Sequence, residues 1–150
     1  MIHARRSIPA LLLTLVCAAP AAAQARPERA TLPMGTPTKG SVADGAPAMF
    51  SATLASAGLL AVALTSETTD SDLVLLVCDE DGQLISSEGR SDRDYQGNRG
   101  NEYVSVLLPE AGTYLVVVEY SSGSGKAAFA LSAAFAAAPA LAALGQDADG

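Results

Sequence analysis

The chain has 150 residues, 49% of them hydrophobic and 17% charged, with a formal net charge of −7. That length suits one domain of ordinary size. The one histidine, His3, lies beside Arg5 and Arg6 near the start; if that end is a removed leader, what remains has neither histidine nor tryptophan. It then carries 7 basic and 16 acidic residues, a net charge of −9. Histidine triads, histidine metal ligands and histidine acid–base catalysis are thereby excluded. An acidic chain also repels phosphate backbones, so no nucleic-acid partner is expected.

Residues 1–23 read as a secretory signal peptide. His3, Arg5 and Arg6 form its basic start, and Ile8 to Cys17 its apolar stretch. Ala21-Ala22-Ala23 offers cleavage after residue 23, and Ala23-Gln24-Ala25 a second cut after residue 25. Pro9 and Pro20 bracket a run shorter than the roughly 20 apolar residues of a membrane span. The expected location is periplasmic or extracellular, with no membrane attachment after cleavage. Cleavage leaves Cys78 without a disulfide partner, so the core must hold the fold. Asp79, Glu80 and Asp81 follow it directly, where a reactive thiol would want basic neighbours.

Residues 24–39, rich in Pro, Thr and Gly, read as a linker. From residue 40 to 135, short apolar stretches alternate with Gly, Asp and Ser clusters. This spacing predicts an all-β fold, an antiparallel β-sandwich of jelly-roll type with about eight strands. The strands are expected near 38–43, 47–54, 58–65, 72–78, 83–87, 102–108, 113–120 and 126–135. Period-2 alternation puts Phe50, Ala52 and Leu54, then Leu60, Val62 and Leu64, on inward faces. The same rule places Leu73, Leu75, Val77, Val104, Val106, Leu108, Tyr114, Val116, Val118, Tyr120, Phe129 and Leu131 inside. Val74, Leu76, Leu115 and Val117 make two strands apolar on both sides. They belong at sheet centres or under another segment, or else they form an exposed binding face.

Asp79-Glu80-Asp81-Gly82 predicts a hairpin turn, and Pro109-Glu110-Ala111-Gly112 a second turn. Ser121 to Gly125 predicts a strand-connecting tip. Residues 88–101 form the longest polar segment of the domain. Residues 136–150 read as an Ala-rich solvated tail.

Four pieces of this stretch together carry a family pattern. They are Phe50-Ser51-Ala52-Thr53-Leu54 with Gly58-Leu59-Leu60-Ala61-Val62; Asp70-Ser71-Asp72-Leu73 with Asp81-Gly82; Gly100-Asn101-Glu102; and Ala111-Gly112-Thr113-Tyr114-Leu115-Val116-Val117-Val118. In order and spacing, residues 40–135 resemble the bacterial pre-peptidase C-terminal domain, a β-sandwich related to collagen-binding domains. The resemblance implies a secreted accessory module, usually beside a peptidase and associated with secretion, processing or attachment to protein substrates. These 150 residues leave no room for a peptidase beside it.

Candidate sites follow. Asp70, Asp72, Asn101 and Glu102 are candidate calcium ligands, because calcium wants six to eight hard oxygens. The resemblance implies acidic ligands from the segment before the first strand, yet residues 30–43 hold no Asp or Glu. The competing reading has Asp70 and Asp72 capping a turn through nearby backbone amides. Tyr95 in the long loop and Tyr103 on an outer strand face are candidate contact residues. Catalysis is not expected: Asp70 and Asp72 sit in an acidic turn with no apolar pocket to raise either pKa, and Lys39 and Lys126 lie beside glycines. The expected function is non-catalytic: binding a protein or extracellular polymer, or assisting an exported partner. The alternatives are a calcium-stabilised structural module and a small carboxylate-dependent hydrolase.

Overall fold

Strands whose alternate residues are apolar must bury one face, and two such sheets satisfy each other by stacking. The computed structural model describes residues 29–92 and 101–139. Its strands are β1 (Arg29–Thr31), β2 (Thr38–Ala43), β3 (Ala48–Leu54), β4 (Gly58–Ser66), β5 (Asp72–Cys78), β6 (Arg90–Ser91), β7 (Glu102–Leu108), β8 (Gly112–Ser122) and β9 (Lys126–Ala137). Sheet A has the order β1-β3-β8-β5-β6 and sheet B the order β2-β9-β4-β7. Apart from the parallel β1–β3 pair, every pairing is antiparallel. Numbering β2 to β9 as one to eight, the sheets run 1-8-3-6 and 2-7-4-5. This is the jelly-roll order expected from the sequence.

The inward residues form one core. Phe50, Leu60, Val62, Leu64, Leu73, Leu75, Val77, Val104, Val106, Leu108, Val116, Val118, Phe129 and Leu131 are buried in it. Burying each such side chain contributes about 1.5–3 kcal/mol. At its centre Phe129 of sheet B meets Phe50 of sheet A edge-on, ring centroids 6.1 Å apart. Gly40 makes room for that ring, since a Cβ there would stand 2.5 Å from Phe129 Cζ. The tip after β8 is anchored the same way. Gly123 (φ +126°) lies so close to the Asp70 carbonyl that a Cβ would overlap it. On the outer side of sheet A, Val74, Leu115 and Val117 are buried on the interior strands β5 and β8. Leu115, Val117 and Cys78 form a second apolar cluster with Met49 and Leu76.

Two expectations need correction. Residues 29–39 are not a linker but part of the domain. The strand β1 lies beside β3, Leu32 is buried in the core, and Gly35 donates to the Ala133 carbonyl of sheet B. This segment therefore closes one side of the sandwich. Its pieces are too short, between Pro33 and Pro37, to show a strand period.

Nor is 83–87 a strand. The turn forms as expected, with Gly82 at φ +84° and Asp79 Oδ1 accepting from the Asp81 and Gln83 amides. The return keeps a short ladder through the Asp79 amide on the Gln83 carbonyl, the Leu84 bridge to Cys78 and the Ile85 amide on the Val77 carbonyl, and goes no further. The chain then turns out of the ladder, and Ser87–Gly89 forms a single 3-10 turn closed by the Gly89 amide on the Ser86 carbonyl. The pairing with β5 resumes at Arg90–Ser91. Strand β6 takes the topological place expected for 83–87.

The expected leader (1–23), Tyr95 and the tail beyond 139 lie outside the described residues.

If residues 29–39 belong to the domain, Leu32→Ala removes a buried core side chain. It should cost about 2–5 kcal/mol, read as a lower urea midpoint with an unchanged slope. A linker residue would give no change.

Candidate functional site

Two regions hold the expected site residues: one end of the sandwich and the outer face of sheet B. At the end, Asp72 opens β5 opposite Ser122, and Glu102 opens β7 opposite Leu64. Asp70 adopts φ +62°, a left-handed conformation that Asp tolerates in turns. Ser71 between the two aspartates is fully buried, and its hydroxyl has no partner among the described residues.

Asn101 and Glu102 are occupied with the frame. Asn101 Oδ1 accepts the Ser66 amide at 2.9 Å, fastening the start of β7 to the end of β4. The Glu102 side chain points inward and is buried. Its carboxylate accepts a short hydrogen bond from the Ser91 hydroxyl, which joins sheet B to β6 of sheet A. Ser91 Oγ in turn accepts the Tyr103 amide at 3.3 Å. A carboxylate taken out of water needs such donors. Glu67, nearby, pairs with Lys39 at 2.8 Å on the surface, where an ion pair contributes little. Among the described residues no group of three or more His, Cys, Asp or Glu is placed to hold a metal ion. Asp70, Asp72 and Glu102 thus do not converge as one set of ligands.

The outer face of sheet B is different in chemistry. Its strands present Ala61, Ala63, Ala130, Ser132, Ala134 and Ala136 side by side, with the registers Ala61↔Ala134 and Ala63↔Ser132. No Asp or Glu points outward from β4, β7 or β9 on this face. Tyr103 stands above it at 47% exposure, with Leu59 at 44% and Leu107 at 69%. A shallow cleft of about 340 Å³ runs between Tyr103, Ala61, Ala63, Ser132 and Ala134 and the Gly35–Pro37 segment. Tyr103 is therefore placed as a contact residue would be. Leu59 and Leu107 join it; the alternation that put Leu60 and Val62 inside on β4, and Val104 and Val106 on β7, already pointed them outward. Ser91 had no signal in the sequence, because its importance comes from a partner on another strand.

Cys78 is buried, and burial, with Asp79 and Glu119 nearby, raises its thiol pKa. It stays a neutral thiol through neutral pH, so it is no nucleophile.

Fold and surface define a β-sandwich module of jelly-roll type whose β4, β7 and β9 strands present a flat, Ala- and Ser-rich face. Residues 48–119 match the family model of the bacterial pre-peptidase C-terminal domain, and they form a domain of that family. Solved structures with the same fold include the pre-peptidase C-terminal domain of a collagenase from Bacillus anthracis. It is 19% identical, covers 73% of this chain and 98% of its own, and has a TM-score of 0.56. Another is PliG of Aeromonas hydrophila, a periplasmic inhibitor of g-type lysozyme. It is 15% identical, covers 72% of this chain and 96% of its own, and has a TM-score of 0.53. No curated protein matches the sequence significantly. No helix among the described residues is long and apolar enough to cross a membrane.

Two outcomes are expected. Ser91→Ala leaves the buried Glu102 carboxylate a donor short and should cost about 1–3 kcal/mol in chemical denaturation. Cys78 should react slowly with a thiol reagent at neutral pH and speed up as the chain is unfolded. Because its folded pKa is raised, the stability it contributes is present below the ordinary thiol range and lost as pH rises through the folded value. A fast reaction in the native state would contradict its burial.

Proposed function

We propose that this protein is a secreted, non-catalytic accessory module that docks on a protein or extracellular polymer through the outer face of sheet B. The observation that carries this reading is that face itself. In an acidic chain, β4, β7 and β9 turn no Asp or Glu outward there; they are paved with Ala and Ser, bear Tyr103, Leu59 and Leu107 in the open, and keep the Lys39–Glu67 ion pair to the β2 side. Small side chains keep the floor flat, so a partner surface can approach the backbone closely, and the three larger side chains offer apolar contact at low entropic cost. The two solved relatives support a protein-directed role: one is part of a collagenase, the other a lysozyme inhibitor. The basic, apolar, small-residue pattern of residues 1–23 supports export.

The test is capture from the producing cell's envelope and secretome with the chain as bait, beside the Ala134→Arg variant. Ala134 is exposed, so arginine there disturbs the floor and not the core. A partner retained by the unaltered chain and lost, by roughly tenfold or more in affinity, with Ala134→Arg and Tyr103→Ala supports the reading. Equal retention by all three chains refutes it.

A calcium-stabilised structural module is the second reading. It rests on Asp70 and Asp72 flanking the buried, unpartnered Ser71 hydroxyl. Calcium should then raise the melting midpoint by mass action, and Asp70→Ala/Asp72→Ala should abolish the rise. An unchanged midpoint ends this reading.

A further inference from the structure

We propose that the edge of β7 left unpaired among the described residues pairs with β7 of a second copy of this chain, antiparallel about a two-fold axis at Val106. This goes beyond the docking face, since it concerns the edge of sheet B and not its surface.

Strand β7 is bonded on one side, to β4, and ends the sheet on the other. In an antiparallel pair, successive residues turn their amide and carbonyl alternately toward the neighbour and away from it. The Tyr103 amide faces away, because it reaches Ser91 Oγ. Ser105 and Leu107 therefore face away as well. At one end the Tyr103 amide is already taken, and at the other Pro109 has no amide hydrogen. Two residues are left with open donors and acceptors.

Sheets guard their edges with charge, proline, bulges or brevity. Strand β1 has 3 residues and β6 has 2, while the edge strand β2 carries the exposed Lys39. Strand β7 has 7 residues, and from Tyr103 to Leu108 it has no charge, no proline and no glycine. Leu107 on it is 69% exposed.

The pattern of open groups selects the occupant. A mate must offer two open residues two positions apart, running antiparallel, closed at both ends, and uncharged. A second β7 does so in one register: Ser105 opposite Leu107 of the copy, and Leu107 opposite its Ser105. Four backbone hydrogen bonds form. Tyr103 then faces Pro109 of the copy, so neither closed end is asked for an edge donor. Tyr103 and the copy's Leu107 become diagonal neighbours on the outer face, within reach of each other. An uncharged edge also suits self-contact in a chain of net charge −7. So small a contact lies below the usual size of a stable interface, so the dimer is concentration-dependent.

Sedimentation velocity on the exported chain is expected to show a reversible monomer–dimer equilibrium. Leu107→Lys should weaken it by roughly tenfold or more, while circular dichroism stays unchanged. The register is tested in a Cys17→Ala/Cys78→Ala background. A mixture of Ser105→Cys and Leu107→Cys chains should form a mixed disulfide under mild oxidation, and each chain alone should not. Opposed residues of such a pair stand about 5.5 Å apart, within disulfide reach. A chain that stays monomeric to about 1 mM overturns the proposal. So does a dimer indifferent to Leu107→Lys, or cross-linking of Ser105→Cys chains alone as readily as in the mixture. Dimerisation that begins only after residues 140–150 are removed also overturns it, because the chain's own tail would then be the occupant.

Discussion

The edge-on contact between Phe129 and Phe50 is the contact on which the sandwich depends. The described residues hold one cysteine and no disulfide, so no disulfide cross-links the two sheets. They are joined by what fits between them, and Phe129 is the largest fully buried side chain there. Its position constrains its neighbours. The neighbouring strand β2 must carry Gly40 opposite the ring, and Phe50 must meet it edge-on. A close-packed interior transmits such requirements, because it has no slack to absorb an extra carbon. The β1 segment follows from the same need: two stacked sheets leave an open side, and Leu32 and Met34 fill it against the core.

What the sequence made legible was what a single strand can state by itself. Alternation over β3, β4, β5, β7 and β9 named their inward residues correctly, because a period of two cannot slip by one residue without turning the core outward. The Asp-Gly and Pro-Glu-Ala-Gly turns were equally local. What stayed hidden depended on partners far along the chain. Strand β1 is three residues long and exists because β3 is there to pair with. The return after Gly82 has no strand period to lose, and it leaves the ladder for the 3-10 turn of Ser87–Gly89. Asn101 and Glu102 show the limit most clearly. Their residue types suit calcium, and the sequence could not reveal that Ser66 and Ser91 would engage them.

That engagement separates frame from function at the two regions. The Gly-Asn-Glu stretch that helped to suggest the family works as a clasp, tying β7 to β4 through Asn101 and to β6 through Glu102. A buried carboxylate held by a hydroxyl and set between two sheets is expensive to disturb, so this end suits rigidity. The family pattern and the working surface then need not coincide. A domain can keep its clasp and its turns while its outer face is free to suit a different partner.

The distribution of charge completes this division of labour. Acid gathers in the turns and at the strand ends, at Glu67, Asp70, Asp72, Asp79, Glu80, Asp81, Asp92 and Glu110, while β4, β7 and β9 turn none outward on sheet B. At distances beyond a Debye length, about 8–10 Å at ordinary salt, a partner meets a weakly negative body. At contact it meets a flat, neutral floor with Tyr103, Leu59 and Leu107 standing on it. The acid therefore acts on which molecules approach, and disfavours polyanions. In the proposed docking, the Ala- and Ser-paved face acts on what stays, through close packing that salt does not weaken. A binder built this way should depend little on ionic strength once bound, in contrast to one held by its charges.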